Sequence, residues 1–434
     1  MTCGLVRQYL CRWVVHQLIS SVGCVRPHNM YDHRPIGWFL RRAWWLSVLA
    51  VFFVVSQVSL GQAARAAPVV LGVRTGEQPT ATRFVLDLSE AIEFKVFVLP
   101  NPYRVVIDLP EVDWQVEPSA DIGQGLIRNF RFGLFEAGTS RVVLDVDGPV
   151  KVQRSFLLPP NGAFPHRFVL DIAPVSAEDF TTVAGLPPPP PLQARTPARA
   201  PKRKGSDLRP MIVLDPGHGG IDPGTVGASG TLEKKITLRI AKELKRQLLD
   251  SGRYRVLLTR DKDVFVRLGR RVEIARDAGA ALFMSLHADS IKNRRVRGAA
   301  VYTLSETASD AEAAALAAKE NKSDIIAGLH IEGESSEVTT ILIDLARRET
   351  MNLSAEFASL LVPEIRRNGR VLSNDHRVAG FAVLKAPDVP SILVEMGYLS
   401  NRKDEKLLLS RAYQRRISAA MVRAIDRYFR ETKR

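Results

Sequence analysis

Residues 211–230 read MIVLDPGHGGIDPGTVGASG, and this stretch decides the fold of the second half of the chain. Its first four residues are apolar and rich in β-branched side chains, which is typical of a buried strand. Asp215-Pro216-Gly217 ends the strand, because proline lacks a ladder donor and glycine tolerates unusual backbone angles. His218 therefore follows the carboxyl end of a strand, where open α/β sheets bind their ligands.

Three further groups occupy comparable positions. Glu233 opens a segment whose apolar residues recur at helical spacing, so its side chain should point back toward the preceding loop. His287 and Glu395 each end a short apolar run, at residues 281–286 and 391–394, and each run predicts a buried strand. Two histidines and two glutamates are therefore expected at one edge of a single sheet.

This combination of residue types indicates a metal-dependent hydrolase. Two histidines and one carboxylate form a catalytic zinc site that leaves one position open for water. The second carboxylate can then serve as general base. Taken singly, Glu233 also fits a helix cap and Glu395 a buried salt-bridge partner. Those separate explanations do not account for four such groups in matching positions.

The motifs around these residues resemble a known family. DPGHGG at 215–220, the helix-opening Glu233, SLHAD at 285–289 and VEMGYLSN at 394–401 are similar to the signatures of zinc-dependent N-acetylmuramoyl-L-alanine amidases. The resemblance covers about residues 209–434.

The resemblance implies a role for each of the four groups. His218, Glu233 and His287 would hold zinc, and Glu395 would be the catalytic carboxylate. The implied reaction is hydrolysis of the amide between N-acetylmuramic acid and L-alanine in peptidoglycan, for wall remodelling and the separation of daughter cells. From spacing alone, the prediction is only a metallohydrolase.

The positive charge is unevenly distributed along the chain, and the cysteines lie close to the N-terminus. The formal net charge is +15, but residues 1–66 hold seven arginines and one acid, so about +9 falls on the remainder. No nucleic-acid-binding signature accompanies this charge, and a polyanionic wall would attract it equally. All three cysteines lie within the first 24 residues, so neither a disulfide nor a cysteine metal site is expected in the rest of the chain.

Residues 1–66 are predicted to be an export leader. Arg41-Arg42 precede an apolar run at residues 43–55, and Ala64-Arg65-Ala66 forms a small-x-small cleavage site. An uncleaved membrane anchor is the alternative, and the alanine-rich end disfavours it. The arginine pair loosely fits a twin-arginine signal. We therefore expect a periplasmic enzyme that contacts the membrane only during export.

Residues 67–175 predict a small all-β sandwich. A pattern of the form Arg-x-Val-x-Asp, in which each x is apolar, occurs four times in this region. In the first copy, alternation puts Phe84, Leu86 and Leu88 on one face of the strand and Arg83, Val85 and Asp87 on the other. The copies start at Arg83, Arg104, Arg141 and Arg167. The region resembles the AMIN domain that precedes many such amidases and localises them on the wall. Residues 176–208 are rich in proline, alanine and basic residues, which favours an extended linker.

The remaining residues, 209–434, are predicted to form an α/β domain. Apolar strand-like runs alternate with helical segments, which implies a mainly parallel sheet covered by helices on both faces. Residues 305–350 look like an insertion within this domain. Residues 308–320 are strong helix formers, and a long amphipathic helix is expected from about 338 to 367.

The insertion follows the His287 strand and is therefore expected near the zinc. In the cell-division subset of the family, a comparable insertion covers the active site until an activator displaces it. The resemblance implies the same device here, with a LytM-type activator protein as partner. Glu320 is the first candidate for a glutamate that blocks the open zinc position; the others are Glu332, Glu334 and Glu337.

Two other functions remain open at this point. A zinc metallocarboxypeptidase has a similar ligand set, but it needs a basic clamp for a terminal carboxylate, for which Arg260 and Arg297 are candidates. A catalytically inactive protein that binds the wall and recruits other hydrolases is the second alternative. Such a protein is expected to lack a ligand or the base, whereas all four groups are present here. His330 and His376 fall outside the motifs and are expected to be structural or surface residues.

Overall fold

A computed structural model describes residues 67–116, 123–183, 207–291, 293–329 and 341–432, without the side chains of 181–183 and 341–346. The predicted leader and most of the predicted linker lie outside these residues, as do Glu332, Glu334, Glu337 and His330. Within the described part, no helix is both long enough and apolar enough to cross a membrane.

The first described region is a β-sandwich, as predicted. One sheet has the strand order β5-β1-β2-β9-β8 and the other has the order β3-β4-β7-β6. The nine strands are β1 (Val69–Gln78), β2 (Ala81–Leu88), β3 (Lys95–Leu99), β4 (Arg104–Pro110), β5 (Asp113–Trp114), β6 (Ile127–Glu136), β7 (Thr139–Val146), β8 (Val150–Leu158) and β9 (His166–Pro174).

The four copies of the Arg-x-Val-x-Asp pattern lie in β2, β4, β7 and β9. In β2, residues 84, 86 and 88 are fully buried while the residues between them are partly exposed, which confirms the predicted alternation. The charged ends of the pattern pair across strands. Arg83 binds Asp171 at 2.7 Å, and Arg141 binds Asp108 at 2.6 Å. The pattern thus supplies both the apolar core and an ionic ladder outside it.

The expectation that residue 176 begins an extended linker was wrong. Helix α1 (Ala177–Val183) follows β9 directly, and Phe180 is buried in the sandwich core, where its ring lies 4.9 Å from that of Tyr103. A single aromatic anchor in a polar segment leaves no periodic pattern, so this helix could not be predicted from periodicity. We refer to β1–β9 and α1 together as the sandwich domain.

The second region is an α/β domain built on one six-stranded sheet. The strand order is β11-β10-β12-β15-β13-β14, and every neighbouring pair is parallel except β13 and β15. The strands are β10 (Met211–Pro216), β11 (Arg255–Leu258), β12 (Leu282–His287), β13 (Ala299–Leu304), β14 (Val371–Ala379) and β15 (Ser391–Glu395). The prediction of a mainly parallel sheet is confirmed.

Helices cover both faces of this sheet. They are α2 (Glu233–Asp250), α3 (Leu268–Asp277), α4 (Ala311–Glu320), α5 (Ser323–Ile326), α6 (Ile341–Arg366), α7 (Arg402–Leu409) and α8 (Arg411–Glu431). Helices α2, α6 and α8 pack on one face, with Leu244, Phe357 and Ile417 in a common core. Helices α3 and α4 cover the other face through Ala275 and Leu316.

The described part of the expected insertion is mainly helical and lies between β13 and β14. Helix α4 begins at Ala311 rather than at the expected residue 308, because the Asp310 side chain caps it by accepting a hydrogen bond from the Ala313 N–H at 2.9 Å. Strand β14 was not predicted. It is an edge strand with the polar sequence VLSNDHRVA, which lacks the apolar alternation of a half-buried strand.

Candidate active site

His218 lies in the loop that leaves strand β10. Its backbone has a positive φ of 61°, an uncommon conformation for a residue with a side chain. The loop approaches strand β12 so closely that a Cβ atom at Gly217 would overlap the His287 ring. Glycine at 217 therefore allows the two imidazoles to meet, with ring centroids 4.9 Å apart.

His287 and Glu395 end two neighbouring strands. They are direct partners in the parallel register of β12 and β15. Because parallel strands end at the same sheet edge, the predicted convergence follows from topology. Glu395 is fully buried, and its Oε2 atom accepts the Asp289 N–H at 2.9 Å. Its Oε1 atom is also buried and has no hydrogen-bond partner among the described residues.

Glu233 is the first residue of helix α2 and is fully buried. Its Oε1 atom accepts the Ala288 N–H at 2.8 Å, and Oε2 accepts the Thr225 N–H at 2.9 Å. The same two oxygens lie 3.3 Å from His287 Nδ1 and 3.2 Å from His218 Nε2. The backbone thus fixes the carboxylate so that it faces both imidazoles.

Glu320 joins this group from the insertion. It is the last residue of α4, and its Oε2 atom lies 3.3 Å from both His218 Nε2 and His287 Nδ1. The two ring nitrogens and a Glu320 oxygen all lie within 4.8 Å of one another, which is close enough for one metal ion. The structure therefore brings Glu320 to the two histidines and Glu233, beside the strand end that carries Glu395.

The arrangement of these side chains is better suited to binding a metal cation than to hydrogen bonding among the side chains themselves. His218 Nε2, His287 Nδ1 and Glu320 Oε1 are buried, and none aligns with a hydrogen-bond partner in the described part of the chain. Unsatisfied buried polar atoms are costly, so the two imidazole nitrogens, which both lie 3.3 Å from Glu320 Oε2, indicate a metal site. Three buried glutamates surround the two imidazoles, and this excess of negative charge favours a cation.

The electrostatics agree with this interpretation. Burial alone would lower the pKa of His218, but the charges of Glu233, Asp222 and Glu320 raise it well above its ordinary value. Burial raises the pKa of Glu395 well above its ordinary value, and the carboxylates of Asp289, Glu233 and Glu320 add to this effect. A raised carboxyl pKa suits a residue that must both accept and donate a proton near neutral pH.

Two supporting carboxylates were missed in the sequence. Asp222 accepts a hydrogen bond from His218 Nδ1 at 2.9 Å, which fixes the tautomer that leaves Nε2 free for a metal. Asp289 accepts the Thr225 hydroxyl at 2.7 Å and pairs with Lys319 of the insertion. Asp289 belongs to the SLHAD motif, and Asp222 lies four residues after His218, so proximity to a predicted ligand was the available signal.

Neither arginine proposed as a carboxylate clamp is free for that role. Arg260 is only 3% exposed, and its guanidinium donates to the backbone oxygens of Pro216 at 3.0 Å and Gly217 at 2.8 Å. It therefore holds the loop before His218. Arg297 lies 3.2 Å from Asp404 in an ion pair. This arrangement argues against the carboxypeptidase interpretation.

His376, expected to be a structural or surface residue, has a structural contact: its Nε2 lies 3.0 Å from the Thr303 hydroxyl, between β14 and β13.

The buried Arg271 supports the loop that carries His218. It binds Asp215 at 2.8 Å and donates to the His218 carbonyl at 2.9 Å. The contacts of Arg271 therefore support the loop that carries His218, and no sequence pattern predicted them.

The chain matches two family models. One, described as N-acetylmuramoyl-L-alanine amidase, matches residues 212–427, and the other, the AMIN domain, matches residues 72–172. The first match contains His218, Glu233, His287 and Glu395. The second lies within the sandwich domain.

Among curated proteins, the chain is 35% identical over 380 residues to the N-acetylmuramoyl-L-alanine amidase AmiC of Neisseria meningitidis serogroup B, across 83% of this chain and 90% of that protein. It is 33% identical over 392 residues to AmiC of Escherichia coli, across 86% of this chain and 92% of that protein. To AmiA of Escherichia coli K12 it is 39% identical over 230 residues, across 53% and 79% of the two chains. On these matches, the chain belongs to the N-acetylmuramoyl-L-alanine amidase family, with an AMIN domain ahead of the amidase domain.

Proposed function

We propose that this enzyme hydrolyses the amide between N-acetylmuramic acid and L-alanine in peptidoglycan, with zinc as its metal. The observation that carries the proposal is the convergence of His218, His287 and Glu233 beside Glu395. His218 Nε2 and His287 Nδ1 are buried there and have no hydrogen-bond partner among the described residues. This arrangement lies within the part of the chain that matches the amidase family.

Two imidazole nitrogens and a carboxylate are a donor set that suits zinc. His218, His287 and Glu233 would hold the ion. Asp222 would orient His218, and the Thr225 and Ala288 N–H groups would orient Glu233. Bound zinc would lower the pKa of a water molecule and polarise the amide carbonyl.

Glu395 is the proposed general base. Its free Oε1 atom would accept a proton from the attacking water while Oε2 remains held by the Asp289 N–H. As the amide C–N bond breaks, the same carboxyl would donate the proton to the departing amine of L-alanine. The products are a carboxylate on the muramic acid side and a peptide with a free amino terminus.

The insertion is proposed to close the site. Glu320 occupies the side of the imidazoles where a substrate carbonyl and water would need to lie. Lys319 supports this position through Asp289, and Ser323 supports it by donating to Asp222. A partner that binds the open insertion more tightly than the closed one would activate the enzyme. We propose a LytM-type activator at the division site.

The remaining assignments concern the export of the enzyme and its location in the cell. Residues 1–66 would direct export to the periplasm, the arginine pair would serve a twin-arginine route, and the sandwich domain would hold the enzyme on the wall. The AMIN match and the AmiC relatives support an envelope location.

Mass spectrometry of digested sacculi tests the reaction. The full chain with zinc is expected to release peptides that begin with a free L-alanine, and a Glu395→Gln sample serves as the inactive control. A Glu320→Ala sample is digested in parallel, because a closed insertion lowers the rate. Release of single carboxyl-terminal amino acids would identify a carboxypeptidase instead. Intact sacculi in all samples would favour a catalytically inactive protein that binds the wall and recruits other hydrolases.

A further inference from the structure

The sandwich domain packs directly on the α/β domain. Its contact surface is the outer face of the β3-β4-β7-β6 sheet, and the Leu134 oxygen accepts the Phe265 N–H at 3.1 Å. The rings of Phe135 and Phe265 stack at 5.9 Å. One buried apolar cluster joins the two domains: Phe97, Leu99, Val106 and Val143 come from the sandwich, and Ile221, Phe265, Ala327 and Leu329 come from the α/β domain.

This cluster includes two different parts of the α/β domain. Ile221 and Phe265 belong to the loops beside the metal site. Ala327 and Leu329 belong to the insertion, directly after helix α5. The sandwich domain therefore contacts both the fixed side of the site and the segment that covers it.

Two arginines of the sandwich domain hold the backbone of the insertion. Arg104 donates to the Ile325 oxygen, and Arg141 donates to the oxygens of Ala327 at 3.1 Å and Gly328 at 3.4 Å. Carbonyl groups at the end of a helix lack intrahelical partners, so they need donors from outside. Charged donors make these bonds stronger than neutral ones would.

Arg104 departs from the ionic ladder of its own domain. Its register partner across β4 and β7 is Asp145, but both Asp145 oxygens bind Arg131. Arg104 is 1% exposed, and its hydrogen bonds go to the backbone oxygens of Pro100, Pro102 and Ile325. Ile325 is the one of these three acceptors that belongs to the insertion, so the buried Arg104 guanidinium loses a hydrogen bond when the insertion moves away.

The same segment is joined to the metal site at its other end. Glu320 faces the two imidazoles, and Ser323 donates to Asp222, which holds His218. Fewer than ten residues separate Glu320 from the carbonyls that the arginines hold. Movement of one end of this segment therefore disturbs the contacts of the other.

We propose that the sandwich domain acts as a clamp on the insertion, so that its docking keeps Glu320 in the metal site and its release favours the open enzyme. The proposal extends the proposed closure by Glu320 and rests on it. Because coupling between two equilibria is reciprocal, an opened insertion would also weaken domain docking.

A large side chain placed between the two domains tests the proposed clamp. Gly133 has extended backbone in β6, and a Cβ atom there would lie 2.5 Å from the Gly220 backbone, so Gly133→Leu in the full chain forces the domains apart. Gly76→Leu in β1 is the matched control, because a Cβ atom there meets nothing within 4 Å. Phe97→Ser weakens the same interdomain cluster by removing an apolar side chain, without inserting a bulky group against the Gly220 backbone.

Hydrogen exchange followed by mass spectrometry measures how firmly the insertion is held, independently of enzyme activity. Gly133→Leu and Phe97→Ser are each expected to speed exchange in residues 311–329 by about tenfold and to raise hydrolysis of sacculi, whereas Gly76→Leu leaves both unchanged. Unchanged exchange in residues 311–329 in both interface variants would overturn the clamp. Faster exchange without faster hydrolysis would leave the clamp in place and refute closure by Glu320 instead.

Discussion

The Oε2 atom of Glu320 lies 3.3 Å from Nε2 of His218, so the last residue of helix α4 reaches the nitrogen that would bind the metal. His218 belongs to the loop after β10, whereas Glu320 belongs to an insertion after β13. The contact thus connects the loop that carries His218 with the insertion. Each part of this arrangement can be tested by substitution.

Zinc binding should depend on the two imidazoles. His218→Ala or His287→Ala removes one of the buried nitrogens that lack a partner, and each variant is expected to lose tight zinc binding. Metal content of the purified protein, measured by mass spectrometry, checks this. His376→Ala, in a histidine that contacts Thr303 instead, should retain stoichiometric zinc. Full zinc content in a variant lacking both site histidines would refute the assignment.

The effect of replacing Glu395 should differ from the effect of replacing a metal ligand. Glu395→Gln preserves the shape of the side chain but removes the proton acceptor, so zinc should remain while turnover falls by roughly 10²–10⁴-fold. The rate on sacculi and the zinc content are measured on the same preparation. A glutamine variant that keeps near-parental turnover would show that another group is the base.

Asp222 should set metal affinity through His218. Asp222→Asn is expected to weaken zinc binding by about 10–100-fold, as for other groups that orient a ligating histidine. Asp222 also accepts a hydrogen bond from Ser323, so Ser323→Ala serves as the matched control that loosens the insertion only. Competition with a zinc chelator distinguishes the two variants. Equal zinc affinity in Asp222→Asn and the parent would contradict the orienting role.

Retention on the wall should depend on the free face of the sandwich domain. The β3-β4-β7-β6 face is covered by the α/β domain, which leaves the outer face of the other sheet, where Arg74 and Arg154 have side chains 49% and 65% exposed. Exchanging both for glutamate should weaken co-sedimentation with sacculi, because the wall is polyanionic. Arg246→Glu on exposed α2 is the control, and an equal loss there would indicate nonspecific charge attraction.

The convergence of three candidate residues could be predicted from the sequence because topology brings them together. His218, His287 and Glu395 each follow or end a strand, and the ends of parallel strands meet at one edge. Glu233 was found because an acidic residue opened a clear helical repeat. Glu320 was identified through its position at the end of a helix-forming segment close to that edge.

The supporting contacts could not be predicted in the same way. Arg271 and Asp215 pair across elements that are distant in sequence, and neither lies in a periodic pattern. The docking of Arg104 on Ile325 depends on how two domains pack, which local propensity does not encode. Phe180 anchors helix α1 through a single side chain, too little signal to distinguish a helix from a linker.

The most direct test of the account is the basal rate of Glu320→Ala on purified sacculi with no activator present, measured beside Glu312→Ala. Both residues lie in α4, but the Glu312 side chain is 56% exposed and pairs with Arg377, whereas Glu320 is buried at the imidazoles. With both variants folded and zinc-bound, Glu320→Ala should hydrolyse sacculi at least about tenfold faster than the parent, because removing the carboxylate shifts the insertion toward its open state. Glu312→Ala should match the parent. Equal basal rates in Glu320→Ala and the parent would contradict closure of the metal site by Glu320.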